Sequence, residues 1–331
     1  MTPPDFALPL EAALRGAIPG LPRLTGLTQL SGGASQETWR IGADAQAYIL
    51  RRTPGGAVRG TSETAVSLET EAGVVRAARA AGVPAPEILW VSDGAPPIGA
   101  AYVMGLVEGE TIPRKILRDQ AYANARPVLA RQCGEVLARI HATPRSALPP
   151  LRAADARAQW EQYRAIYDGY GYPHPVFEAA FRWLETRLPG DGAQTLVHGD
   201  FRLGNLMVGP EGLRAVLDWE LTHLGDPAED LGWICVNSWR FGQPGNPVGG
   251  FGALADLLAG YAAAGGHGMS RERVRFWVVM GSLKWGIMCM TMVKAFETGA
   301  DASVERAAIG RRASETEIDL MNLMYGGADG L

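Results

Sequence analysis

The octapeptide HGDFRLGN (198–205) gathers an imidazole, a carboxylate, a guanidinium and an amide into one short stretch, and LRAVLDWE (213–220) adds two carboxylates after an apolar run. Phosphoryl transfer calls for such a set: a carboxylate to orient a hydroxyl and accept its proton, oxygen ligands for Mg²⁺, and a cation for the charge that shifts. Asp200 and Asn205 supply the base and an amide oxygen; being five residues apart, they must be brought together by a loop rather than a helix face. Arg202, between them, offers a planar cation to the transferring group. Asp218 closes the apolar run and so stands at a strand end, where its carboxylate suits a hard divalent ion that keeps waters and phosphates in its shell. Glu220 either touches a second metal ion or faces solvent. His198 is assigned a supporting role, hydrogen-bonding backbone near the loop. Read alone, HGD is as well explained by a buried turn; beside Asn205, Asp218 and the lobe before them, it reads as a phosphoryl-transfer centre.

Two kinds of sequence pattern must position these groups. The first hundred residues carry short β-forming runs, LTGLTQL (24–30), ETWRI (37–41), AYILRR (47–52), PEILWVSD (86–93) and AAYVMGLV (100–107), which predict a five-stranded antiparallel sheet. One helix is expected over 62–82, with Ser62 or Thr64 as N-cap and a stop at Gly82 before Pro84. From about residue 113 helical periodicity dominates, broken by short strands around the HGD loop. The expectation is an α+β chain with a β-rich lobe over 1–105 and a larger, mainly helical lobe over 106–331.

The chain has 331 residues and a net charge of −4, with both signs mixed along it. No basic stripe would neutralise a nucleic-acid backbone, so no nucleic-acid partner is expected. Cys133, Cys235 and Cys289 form no CxxC pair and read as buried free thiols. The first twenty residues lack a signal-peptide layout, and no uninterrupted apolar run nears the roughly 20 residues that span a bilayer. We therefore expect a cytoplasmic protein without a membrane partner, monomer or homodimer. The only lysines are Lys115, Lys284 and Lys294, so arginine must do most of the positive chemistry.

The pattern HxDxxxxN followed by an Asp at this separation resembles the aminoglycoside phosphotransferase and choline kinase branch of the protein-kinase-like superfamily. HGDFRLGN, LDWELTHLGDPAEDL and LSGGASQETW narrow the likeness to bacterial phosphotransferases resembling the kinase domain fused to some acyl-CoA dehydrogenases. The resemblance covers almost the whole chain and implies a bilobal kinase-like fold with ATP between the lobes. It makes Asp200 the catalytic base, Asn205 and Asp218 the Mg²⁺ ligands, and Asp230 a brace for the loop.

The same family places a lysine on the third strand, paired with a helix glutamate. Here no lysine precedes Lys115; Arg51 fills the position with Arg52 adjacent, and Glu71 is the expected partner with Glu69 as the alternative. Arginine binds phosphate and carboxylate bidentately but is no neutral substitute for a compact ammonium. SGGAS (31–35) lies between two predicted strands. There Gly32 and Gly33 would let backbone amides approach phosphates, with Ser35 adding a hydroxyl, although Gly-Gly is also ordinary hairpin chemistry. By the family pattern, YVMGLVEG (102–109) is the interlobe hinge, with backbone groups near Val103, Met104 and Leu106 facing the adenine.

For the acceptor side, WICVNSWRFG and LKWGIMCM contribute one cation each, Arg240 and Lys284, among residues that serve a core equally well. Apolar walls with a few cations suit an amphiphilic, anionic acceptor. A polycationic aminoglycoside would want acidic density that the C-terminal third lacks. The expected activity is ATP- and Mg²⁺-dependent phosphorylation of a metabolite hydroxyl, a hydroxyacyl-CoA being one candidate by resemblance. An aminoglycoside or macrolide kinase, or a nucleotide-binding pseudokinase, are the rivals.

Overall fold

The computed structural model of the chain describes residues 4–21, 23–30, 36–44, 46–54, 64–190, 192, 194–300 and 303–326. The chain forms two compact units. The first comprises Met1–Gly109, Thr143–Leu151 and Arg214–Thr222; the second comprises Glu110–Ala142, Arg152–Leu213 and His223–Leu331. A single cut after residue 105 thus does not describe the division, because two later segments return to the first unit.

The first unit opens with helix α1 (Ala7–Ala17), followed by β1 (Leu24–Leu30), β2 (Glu37–Ala43) and β3 (Gln46–Arg52), then α2 (Leu68–Ala80), β4 (Ile88–Val91) and β5 (Ala101–Gly105). The five strands form one antiparallel sheet in the order β1-β2-β3-β5-β4. Helix α1 has no counterpart in the sequence expectation. Its Leu10 and Leu14, one turn apart, join Phe6 in a core with Ile41, Leu50 and Val103 from the sheet. Helix α2 starts later than expected: Ser67, not Thr64, caps it by accepting from the Thr70 amide at 3.1 Å, and Ser62 lies outside the described residues.

The second unit carries α3 (Pro113–Arg118), α4 (Arg126–His141), α5 (Ala156–Asp168) and α6 (Pro175–Glu185), then strands β6 (Thr195–Val197) and β7 (Leu206–Gly209). Strand β8 (Gly212–Val216) takes the chain into the first unit, and β9 (His223–Gly225) brings it back. Helices α7 (Ala228–Trp233), α8 (Leu254–Ala263), α9 (Arg271–Glu297), α10 (Val304–Gly310) and α11 (Ala313–Tyr325) follow. Strands β6 and β9 pair antiparallel with Val197 opposite His223, so the HGD loop leaves directly from a paired strand end. Helices α4 and α8 touch backbone to backbone: a Cβ on Gly134 would lie 2.0 Å from the Leu257 carbonyl oxygen, and one on Gly260 2.0 Å from that of Arg131.

Helix α9 is long and apolar enough to cross a membrane, yet 72% of its apolar window is buried inside the protein. That is the burial of a core helix.

Candidate active site

In the first unit the side chains of β3 alternate between the two faces of the sheet. Leu50 and Arg52 face α1, where the Arg52 guanidinium lies 4.0 Å from the Phe6 ring centroid and 3.7 Å from Glu37. Arg51 faces the other way, toward α2. Its Nη1 is 3.7 Å from Glu71 Oε1, its Nη2 2.7 Å from Asp218 Oδ1, and its Nε donates to Gln36 Oε1 at 2.8 Å. The alternation settles the two sequence alternatives. Arg52 packs away from this cluster, and Glu69 is exposed whereas Glu71 is fully buried.

Glu71 holds more than Arg51. Its Oε1 accepts from the Tyr102 hydroxyl at 3.1 Å and the Trp219 amide at 3.2 Å, fixing the residue beside Asp218. Burial pushes the Glu71 carboxyl up, and the neighbouring Arg51 charge only partly offsets this. For Arg51 the balance falls the other way: burial disfavours the charge, but Glu71, Tyr102 and Asp218 outweigh it and hold the guanidinium protonated. Asp218 has φ +63°. A left-handed backbone is uncommon for a residue with a Cβ and concentrates at functional positions. Glu220 accepts from Gln36 Nε2 at 3.2 Å, and its carbonyl accepts from Val66. Gly32, Gly33 and Ser35 lie outside the described residues.

The hinge expectation needs correction. Val103 and Met104 sit in β5 between β3 and β4, opposite Leu50 and Trp90, and Ile49 and Ile88, respectively. A strand flanked on both sides commits its backbone groups to its neighbours. Leu106, the first residue past the strand, is 38% exposed.

In the second unit, Asp200 follows β6 in a loop held from α7. Asp230, fully buried, accepts from the amides of His198 at 2.9 Å and Gly199 at 3.0 Å, and from His141 Nε2 at 3.2 Å. His141 Nδ1 contacts the Tyr261 hydroxyl at 3.0 Å, extending the brace to α8. Gly199, at φ +83°, makes the left-handed turn this requires. Burial pushes the Asp230 carboxyl up, but His141, His198 and the amide donors outweigh it, leaving it below the usual carboxylate range. His198 plays the supporting role expected of it: its Nδ1 accepts from the Asp200 amide at 3.2 Å.

Asn205 Nδ2 donates to the Asp200 carbonyl at 2.9 Å and to Asp200 Oδ2 at 2.7 Å. With the amide nitrogen so used, no described residue donates to the Asn205 amide oxygen. An oxygen set aside in this way suits a hard cation. Arg202 lies on Asp200 itself, Nε to Oδ1 at 2.9 Å, with Nη1 on the Leu203 carbonyl and its guanidinium carbon 4.5 Å from the Trp239 ring centroid.

The two acceptor-side cations fare differently. Arg240 is buried, and its guanidinium donates to the Cys235 carbonyl at 2.9 and 3.1 Å and to that of Pro244 at 3.3 Å. It ties down its own backbone, so the expectation that it binds acceptor is withdrawn. Lys284 is also buried, 3.7 Å from Glu229 and 4.8 Å from the Trp233 ring centroid. Burial would strip its proton, but Tyr163, Glu229 and Asp200 outweigh that and keep it charged. Sequence reasoning missed Trp233, whose Nε1 donates to Asp200 Oδ1 at 2.7 Å, and the buried set of His223, Glu229 and Gln159 behind Lys284. The clustering of His223, Glu229 and Trp233 after the HGD loop was the one hint; Gln159, on α5, gave none.

Among the described residues no group of three or more His, Cys, Asp or Glu side chains could hold a metal on its own. Magnesium is commonly held by one or two protein oxygens plus phosphates, and Asp218 and Asn205 supply oxygens of that kind.

A five-stranded sheet with a strand arginine paired to a buried helix glutamate, and a helical unit bearing the braced Asp200–Asn205 loop, are the features of a kinase-like fold. The chain belongs to the phosphotransferase enzyme family (APH), whose sequence profile matches residues 26–268. It is 31% identical over 224 residues to acyl-CoA dehydrogenase family member 10 of Mus musculus, covering 63% of this chain and 20% of that protein. The chain thus spans about a fifth of that relative's length. Among solved structures, a Ralstonia eutropha JMP134 protein classed with the aminoglycoside phosphotransferases superposes with a TM-score of 0.75 at 23% identity, covering 96% of both chains. Spectinomycin phosphotransferase APH(9)-Ia, solved with ADP and spectinomycin, gives 0.65 at 14% identity, covering 95% of this chain and 98% of that one. These two share the fold. The family membership makes the chain a phosphotransferase.

Proposed function

We propose that this kinase uses ATP and Mg²⁺ to phosphorylate a hydroxyl of an amphiphilic metabolite, with a hydroxyacyl-CoA as the leading candidate. Asp200 orients the hydroxyl and takes its proton, Asn205 and Asp218 offer oxygens to magnesium, and Arg51, held by Glu71, positions the nucleotide. When bound, the metal neutralises charge on the phosphates. Arg202 exchanges its contact with Asp200 for the transferring group. The observation that carries this reading is the double hydrogen bond from Asn205 Nδ2 to Asp200, which holds the two side chains in one loop and leaves the amide oxygen without a donor among the described residues.

The acceptor class rests on the kinship with proteins named acyl-CoA dehydrogenases and on the aromatic, cationic surroundings of Asp200, where Arg202 and Lys284 stand against Trp239 and Trp233. The likeness to spectinomycin phosphotransferase favours a second reading, antibiotic phosphorylation. A screen of hydroxyacyl-CoAs, hydroxylated metabolites, aminoglycosides and macrolides for acceptor-dependent ADP release, with Asp200→Ala as control, separates the two. Release with an antibiotic and none with acyl-CoAs or metabolites would replace the first reading by the second.

A further inference from the structure

We propose that Trp233 is the positioning residue of the base, fixing which oxygen of Asp200 receives the proton. The proposal rests on Asp200 being that base. Trp233 closes α7, is 4% exposed, and sends its indole N–H to Asp200 Oδ1 at 2.7 Å. Arg202 Nε shares the same oxygen at 2.9 Å, while among the described residues Oδ2 receives only Asn205 Nδ2, at 2.7 Å. A carboxylate oxygen has two lone pairs. Oδ1 is therefore filled by its two donors, and Oδ2 keeps one lone pair for the acceptor hydroxyl.

The step then balances as follows. The acceptor oxygen forms a bond to the γ-phosphorus while its O–H bond breaks and the proton passes to Asp200 Oδ2. The bond from the γ-phosphorus to the β,γ-bridging oxygen breaks, and ADP leaves with that electron pair.

Trp233 is itself clamped. Its ring lies 4.8 Å from the Lys284 ammonium and 5.3 Å from the Trp239 ring, tilted by 54°. Lys284 is tethered to Glu229 at 3.7 Å, and Glu229 to His223 Nε2 at 3.0 Å. Arg202 must leave Oδ1 to reach a phosphoryl group, whereas the buried indole, carried by α7, is held between Lys284 and Trp239. Trp233 is thus the donor that stays on Oδ1 through the reaction and stops the carboxylate from turning.

Trp233→Phe keeps an aromatic ring at the position and removes the N–H together with the five-membered ring that carries it. Measured as phosphate release from saturating MgATP, with water as acceptor, its turnover should fall about 10- to 100-fold with KM for MgATP and the unfolding midpoint unchanged. Wild-type turnover by Trp233→Phe beside an inactive Asp200→Ala would overturn the proposal; wild-type turnover by Asp200→Ala would instead overturn the base assignment beneath it. A second measurement needs no variant at Trp233 that folds. In ¹⁵N-labelled protein, one indole N–H resonance should be shifted downfield and slow to exchange, and should move upfield and exchange faster in Asp200→Ala. Indole resonances indifferent to that substitution would show that no tryptophan holds the carboxylate.

Discussion

Arg51 Nη2 stands 2.7 Å from Asp218 Oδ1, so the cation that fills the lysine position is bonded to the carboxylate assigned to magnesium. A guanidinium reaches both Glu71 and Asp218 at once because its donors fan out in a plane, where an ammonium is a point charge. Truncating it leaves the buried Glu71 carboxyl without its cation, a loss of about 1–3 kcal/mol for a buried group left unpaired. Arg51→Ala should therefore lower stability and raise the ATP concentration needed for half-maximal turnover. Arg51→Lys should recover part of both. An unaltered ATP dependence in Arg51→Ala would remove Arg51 from the nucleotide site.

Asp200→Ala should abolish phosphoryl transfer while leaving nucleotide affinity largely intact, since the base acts on the acceptor. Single-turnover assays and calorimetry with a non-hydrolysable ATP analogue read the two quantities separately. Full turnover with an identified acceptor would sink the assignment.

Asp218→Ala should weaken nucleotide binding in the presence of Mg²⁺ far more than in its absence. Calorimetric titrations with and without the metal measure this, and equal losses in both would point to a role other than metal ligation.

Asp230 links the loop to acid stability. Its folded pKa lies below the unfolded one because His141, His198 and the amide donors outweigh burial. The stabilisation is thus present above the ordinary carboxylate range and is lost as pH falls through the folded value. Asp230→Asn should cost about 2 kcal/mol at neutral pH, the scale of a charge-assisted hydrogen bond, and should flatten the acid limb of stability. Urea unfolding across pH measures both; parallel curves for the two proteins would contradict it.

Gly260→Ala should destabilise the second unit by about 1–3 kcal/mol, because the new Cβ meets the Arg131 carbonyl, which as backbone cannot swing aside. A melting temperature equal to that of the wild type would show that α4 and α8 separate freely.

Much of the architecture was legible because the strands carry local, period-2 signals. LTGLTQL coincides with β1, and ETWRI and AYILRR with the cores of β2 and β3. The HGD loop was legible because its chemistry is packed into eight residues. What sequence could not resolve depends on which way a side chain points or what lies across the fold. Arg51 and Arg52 are adjacent and chemically identical, and only strand alternation against α1 and α2 separates them. Arg240 and Lys284 looked alike as lone cations among aromatics, yet one caps backbone carbonyls and the other stands behind Trp233. Helix α1 escaped notice because its buried face is short, resting on Leu10 and Leu14 with Phe6 just before them.

The return of Arg214–Thr222 to the first unit has a consequence for how the protein is made. That segment brings Asp218 to Arg51, the Trp219 amide to Glu71, and the Val216 amide to the Pro84 carbonyl at 2.8 Å. On a ribosome the sheet emerges early with the Arg51–Glu71 pair, but Arg51 must wait for Asp218 and Glu71 for the Trp219 amide, both more than a hundred positions downstream. The first unit therefore matures only after much of the second unit has been synthesised. A contiguous fragment ending near residue 109 would be a nascent-chain intermediate rather than a domain.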